Sequence, residues 1–171
     1  MRFVIDASCL VASLRPGEPH YADSRALVDA IITHHYEVCL PTIALAEVSA
    51  AIARASGSRQ LAGRLSRVLL GIPYFRFVAV DLALARQAAD IASEHHLRGY
   101  DAVYVALAAG CDATLVSLDN EQLQRVPDGL VAMTPGDALL WLMGYERLAC
   151  GAVGCRKVDS VRCGLSPRLF P

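Results

Sequence analysis

Leu97-Arg98-Gly99-Tyr100-Asp101-Ala102-Val103-Tyr104-Val105-Ala106-Leu107-Ala108 sets one carboxylate at the mouth of a run that carries no charge, glycine or proline from Ala102 to Ala109. A helix apolar on every side is stable only when buried, so this run predicts a short interior helix. A carboxylate beside such a core needs a counter-charge, hydrogen bonds or a metal, because stripping its water costs several kcal/mol. One explanation of Asp101 is ordinary: an aspartate near a helix start caps free backbone N–H groups and meets the positive end of the dipole. The other is functional. It gains weight from three further acids in similarly apolar settings, Asp6, Glu47 and Asp119.

Outward from this segment, β-rich apolar runs alternate with helical periods. Strands are expected at 3–5, 36–40, 75–80, 114–118 and 130–133. Helices are expected at 21–33, from Thr42 as cap to Gly57, at 58–70, from Asp81 as cap to about His95, and at 135–142. The residues after Asp6, through Pro16-Gly17-Glu18-Pro19, read as a turn region. Strands separated by helical crossovers imply a parallel sheet covered on both faces, an α/β fold. From about Tyr145 the period dissolves into Gly, Pro, Cys and Arg, so the expected organisation is one domain over 1–144 and a flexible tail over 145–171.

The 171 residues are 54% hydrophobic and 19% charged, a balance that excludes a disordered chain. The net charge of −1 provides no global basic field for a nucleic acid or an anionic membrane, so a polyanion would have to be gripped locally. Met1-Arg2-Phe3-Val4-Ile5-Asp6 is too short an apolar run for a signal peptide, and no stretch approaches the length of a membrane span. A cytoplasmic protein is expected, with Cys9, Cys39 and Cys111 as reduced core cysteines.

In an open parallel sheet, functional groups collect beyond the carboxyl ends of the strands, where strand order reverses. Asp6 and Asp119 each follow an apolar strand, Asp101 opens the helix that leads into the fourth strand, and Glu47 lies about one turn into the helix after the second. If these four meet, their repulsion is on the order of 4 kcal/mol per close pair at an effective dielectric of about 20. Such a cluster calls for protonation or a cation, and an all-oxygen donor set suits a hard ion such as Mg²⁺. That arrangement supports metal-assisted hydrolysis of a phosphodiester. Ser8 and Ser117 stand two residues from expected ligands and can orient them, or serve as ordinary turn and strand hydroxyls. Arg15, Arg98 and Arg125, in loops beside the acidic positions, can hold the phosphates of such a substrate or remain solvated.

Val4-Ile5-Asp6-Ala7-Ser8, Leu45-Ala46-Glu47-Val48, Tyr100-Asp101-Ala102-Val103-Tyr104-Val105-Ala106-Leu107-Ala108 and Leu115-Val116-Ser117-Leu118-Asp119 resemble, in order and rough spacing, the four acidic motifs of PIN domains. They are most similar to those of the toxin ribonucleases of VapBC toxin–antitoxin operons. The resemblance covers about residues 1–140. It implies a three-layer α/β/α fold with a parallel sheet of about five strands, dependence on Mg²⁺ or Mn²⁺, an RNA substrate, a homodimer and an antitoxin partner. It also implies that Asp6, Glu47, Asp101 and Asp119 form the catalytic, metal-binding quartet, with Ser117 at a hydroxyl position. A stand-alone nuclease of RNA processing and a PIN-fold module that binds RNA or protein without cutting are the alternatives.

Other classes lack their marks. A haloacid-dehalogenase-type phosphatase needs a second aspartate two residues after Asp6, where Ser8 stands. A P-loop needs a lysine, and the only one is Lys157; a dinucleotide fold needs GxGxxG after the first strand. Cys150, Cys155 and Cys163 fit no common zinc spacing.

Overall fold

Five strands, β1 (Arg2–Ile5), β2 (Glu37–Pro41), β3 (Phe75–Val78), β4 (Thr114–Val116) and β5 (Ala132–Met133), form one all-parallel sheet in the order β3-β2-β1-β4-β5. This architecture is that of a computed structural model, which describes residues 1–152 and the side chains as far as Gly144. Phe3, Val4, Ile5, Val38, Cys39, Leu40, Leu115 and Val116 are wholly buried. Their runs are continuous rather than alternating, because strands in the middle of a parallel sheet are covered on both faces. The edge strands β3 and β5 keep partly exposed residues.

Between the strands run α1 (Ala7–Ser13), α2 (Tyr21–His34), α3 (Ile43–Ser56), α4 (Arg59–Leu70), α5 (Leu82–His95), α6 (Gly99–Cys111) and α7 (Asn120–Gln124), and α8 (Pro135–Ala152) follows β5. Successive strand residues face opposite ways, and this places the helical layers. Phe3 meets Trp141 of α8 edge to face on one side of the sheet. Val4 and its register partner Cys39 look to the other, where α6 packs on β1, β2 and β4 with α5 behind it. As expected, α6 is the interior helix: every residue from Ala102 to Ala108 is buried.

Four expectations are corrected. The residues after Asp6 open with a helix, α1, capped by Asp6 itself; seven residues are too few to display an amphipathic period. The five-residue α7, capped by Asp119, was invisible for the same reason. Thr42 precedes α3 but makes no side-chain cap, having helical dihedrals already, whereas Asp81 caps α5 by accepting from the Leu84 N–H at 2.9 Å. Finally, α8 continues to Ala152 instead of stopping near Leu142, so part of the expected tail is helical; the remainder, with Cys155 and Cys163, lies outside the described residues.

Candidate active site

The chain travels from β1 outward to β2 and β3, then returns to the other side of β1 for β4 and β5, so strand order reverses between β1 and β4. A crevice opens at that point beyond the carboxyl ends. Register pairs Ile5 with Val116, and the Asp6 N–H donates to the Val116 carbonyl at 2.9 Å. Asp6 therefore leaves β1 on one lip of the crevice, and Asp119, three residues past the end of β4, leaves the other.

Both aspartates are helix caps. Asp6 Oδ1 accepts from the Ser8 N–H at 2.9 Å and from the Ser8 hydroxyl. Asp119 Oδ1 accepts from the N–H groups of Glu121 at 2.8 Å and Gln122 at 3.2 Å. Ser8 also joins the lips, because its Oγ accepts from the Leu118 N–H at 3.3 Å. Buried Ser117 accepts from the Asp119 N–H at 3.0 Å and shapes the turn that presents this carboxylate. The capping explanation thus belongs to Asp6 and Asp119. The Asp101 carboxylate, in the first turn of α6 behind the cap residue Arg98, accepts no hydrogen bond from the described residues.

Glu47 enters from α3, where its Oε2 accepts from the Tyr104 hydroxyl at 2.5 Å. Tyr104 is wholly buried, so a long α6 side chain reaches through the core to hold an acid of another helix. Gln122 of α7 donates through Nε2 to the Asp101 carbonyl at 3.0 Å, tying the element that carries Asp119 to the one that carries Asp101; its Oε1 is buried without a partner among the described residues. Neither residue was singled out from the sequence. Tyr104 reads as core from periodicity, and Gln122 lies in the helix too short to recognise.

The charges of the four acids act on one another across the crevice. Burial pushes the Asp101 carboxyl up to about 6, aided by the charges of Asp6, Asp119 and Glu47 and opposed by Arg98. Burial also raises Asp6, against the hydrogen bonds from Ser8 and with help from Asp119. Glu47 is raised by burial and by Asp6, while the Tyr104 bond pulls it down. The arginines are engaged on the protein. Arg98 lies 3.7 Å from Asp119 and 3.8 Å from Glu121, Arg15 pairs with Glu18, and Arg125 bridges Glu121 at 2.7 Å and the His96 carbonyl at 2.6 Å.

The donor set is all oxygen, with Asp6 and Asp119 each anchored through one carboxylate oxygen, and in its chemistry it fits a hard divalent cation. Among the described residues no group of three or more His, Cys, Asp or Glu side chains is already arranged to hold one. Beside the acids, a groove of about 560 Å³ is lined by Ala7, Ser8, Val11, Ala46, Glu47 and Tyr100. A larger groove, about 1180 Å³ between α3 and α4, is lined by no carboxylate and shares Ala46 and Ala50 with the first.

Fold and crevice together define a parallel α/β domain with a cluster of acids at its switch point. A PIN domain profile matches residues 3–129, and the chain belongs to the PIN domain family. Among solved structures, VapC20 from Mycobacterium tuberculosis, a sarcin-ricin loop cleaving toxin, is similar with a TM-score of 0.63 at 18% identity, covering 75% of this chain and 96% of its own. PAE2754 from Pyrobaculum aerophilum is similar with a TM-score of 0.61 at 21% identity, covering 84% and 90%. A toxin–antitoxin complex from Klebsiella pneumoniae gives 0.56 at 17% identity, covering 77% and 96%. No match is found among curated proteins. Among the described residues no helix is long and apolar enough to cross a membrane.

Proposed function

We propose that this PIN-domain protein is a metal-dependent endoribonuclease, the toxin of a type II toxin–antitoxin pair, acting in the cytoplasm as a homodimer restrained by its antitoxin. The observation that carries the reading is the meeting of Asp6, Glu47, Asp101 and Asp119 across the switch point, with the Asp101 carboxyl raised to about 6 by burial and by the other three charges. A protein relieved of metal binding has no use for that repulsion.

In this reading Asp6, Glu47, Asp101 and Asp119 hold Mg²⁺ or Mn²⁺. When bound, the ion supplies a water of lowered pKa and neutralises charge on the scissile phosphate. The protein's own contribution is positional. Ser8 and Ser117 hold Asp6 and the Asp119 turn, and Tyr104 aims Glu47. Arg98, exposed and at 3.7 and 3.8 Å from Asp119 and Glu121, can exchange these long contacts for an RNA phosphate. Arg15 and Arg125 do the same only by exchanging their present partners. Tyr100, 53% exposed at the groove, offers a ring on which a base can stack.

Cleavage of a labelled RNA pool with Mg²⁺ or Mn²⁺, read beside thermal melting, tests the assignment. The wild type is expected to cut and to melt higher with Mn²⁺. Asp6→Asn and Asp101→Asn are expected to lose cleavage by about 10²- to 10³-fold or more and to lose the metal-induced rise. Undiminished cleavage by both variants overturns the proposal. A second reading, the non-cutting PIN module, is favoured by the absence of a ready three-ligand group among the described residues; RNA binding with neither cleavage nor a metal effect would select it.

A further inference from the structure

At the opposite end of the sheet from the acids, two thiols share one guanidinium. Register pairs Cys39 of β2 with Arg76 of β3, which puts both side chains on the face covered by α6. Arg76 Nη2 lies 3.6 Å from Cys39 Sγ and 3.8 Å from Sγ of Cys111, the last residue of α6. The strongly desolvated Cys39 thiol is raised by burial and by a hydrogen bond with the Cys111 thiol, while Arg76 pulls it down. Cys111 is partly exposed, and Cys39 is wholly buried behind it. The Cys111 carbonyl accepts from Arg2 at 2.7 Å, so the end of α6 is pinned over the pair.

This is an asymmetric dithiol: one sulfur reachable from solvent and a second, buried one within the reach of the same arginine. The guanidinium disfavours a metal cation here, so the chemistry is oxidation and not ligation. We propose that Cys111 and Cys39 are a redox modification site that reacts with a hydroperoxide, Cys111 as the attacking thiol and Cys39 as the resolving one. The Cys111 thiolate attacks the peroxide, the O–O bond breaks, the departing oxygen takes a proton to become an alcohol or water, and Cys111 becomes a sulfenic acid. Cys39 then attacks the Cys111 sulfur, the S–O bond breaks, and the hydroxide leaves as water with the Cys39 proton. Two thiols have lost two electrons to one peroxide, which is reduced by two. Arg76, whose side chain is 58% exposed, swings aside as the sulfurs join. The resulting bond closes a long loop, from β2 to the end of α6, and constrains the unfolded chain.

The test treats the full chain with hydrogen peroxide and maps its peptides without reduction. The expected product is a Cys39–Cys111 linked pair, reversed by dithiothreitol, in protein that melts higher than the reduced form, while deeply buried Cys9 stays a free thiol. Cys39→Ala is expected to leave a sulfenic acid on Cys111 that dimedone traps. Cys111→Ser is expected to lose both the link and the melting shift, and Arg76→Met to slow the reaction several-fold. Linkage of Cys111 to Cys150, Cys155 or Cys163 instead of Cys39 overturns the assignment. So does persistence of both thiols as alkylatable groups at peroxide levels that oxidise free cysteine.

Discussion

At the amino end of the sheet Glu37 sits between Arg2 and Arg76, at 3.0 and 3.7 Å, while at the carboxyl end the acidic quartet makes a single ion pair among the described residues, Arg98 with Asp119 at 3.7 Å. The same strands supply both ends, and the same helix, α6, spans them, with Asp101 in its first turn and Cys111 as its last residue. One end pairs its acid within the protein. The other leaves like charges facing each other, which a fold selected for stability alone would not keep. Arrangements that store electrostatic tension are where function is expected.

The largest test of this contrast is Tyr104→Phe. It removes the part-buried hydrogen bond that, among the described residues, holds Glu47, and loss of a bond to a charged group costs about 2 kcal/mol. Urea unfolding is expected to show that loss, and RNA cleavage is expected to fall with it. Unchanged stability would mean that Glu47 is not held from within the core.

Next in size is the pH response of the acidic end. The Asp101 carboxyl ordinarily titrates at 3.8 and does so at about 6 in the fold, so the native state binds more protons than the unfolded chain between these values. Stability is therefore expected to fall as pH rises through that window, with the full penalty above about 6. Asp101→Asn removes it. Allowing for the partial exposure of this side chain, the variant is expected to gain about 1 kcal/mol at neutral pH without metal and nothing at about pH 4. A loss of stability at neutral pH would show Asp101 to be a structural acid.

The smallest effect belongs to the amino end. Glu37→Gln breaks two half-exposed ion pairs and is expected to cost about 0.5 kcal/mol, less at high salt. Denaturant melts at low and high ionic strength read it directly. A cost as large as that of Tyr104→Phe would erase the distinction between the two ends.

The order of elements, the parallel sheet, the buried α6 and the family resemblance were legible in the chain, because continuous apolar runs and helical periods report burial one residue at a time. The four acids stood out for the same reason, each being a charge in an apolar setting. Short elements escaped. Neither α1 nor α7 spans enough residues to show a period, so the capping done by Asp6 and Asp119 left no signal in the sequence. Arg15, Arg98 and Arg125 were legible as loop cations but not as partners of Glu18, Asp119 and Glu121, since ion pairs between side chains leave no mark in composition.

The sequence by itself determined which segments would be strands, which helix would be interior and which carboxylates needed an explanation, since these are properties of local pattern and desolvation. Only the tertiary structure decided that β1 and β4 are neighbours, that Tyr104 reaches Glu47 across 57 positions of sequence, and that Arg76 draws Cys39 and Cys111 together. Contacts between residues far apart along a chain depend on strand order and register, which are set by the packing of the whole sheet and its helices and by no local stretch.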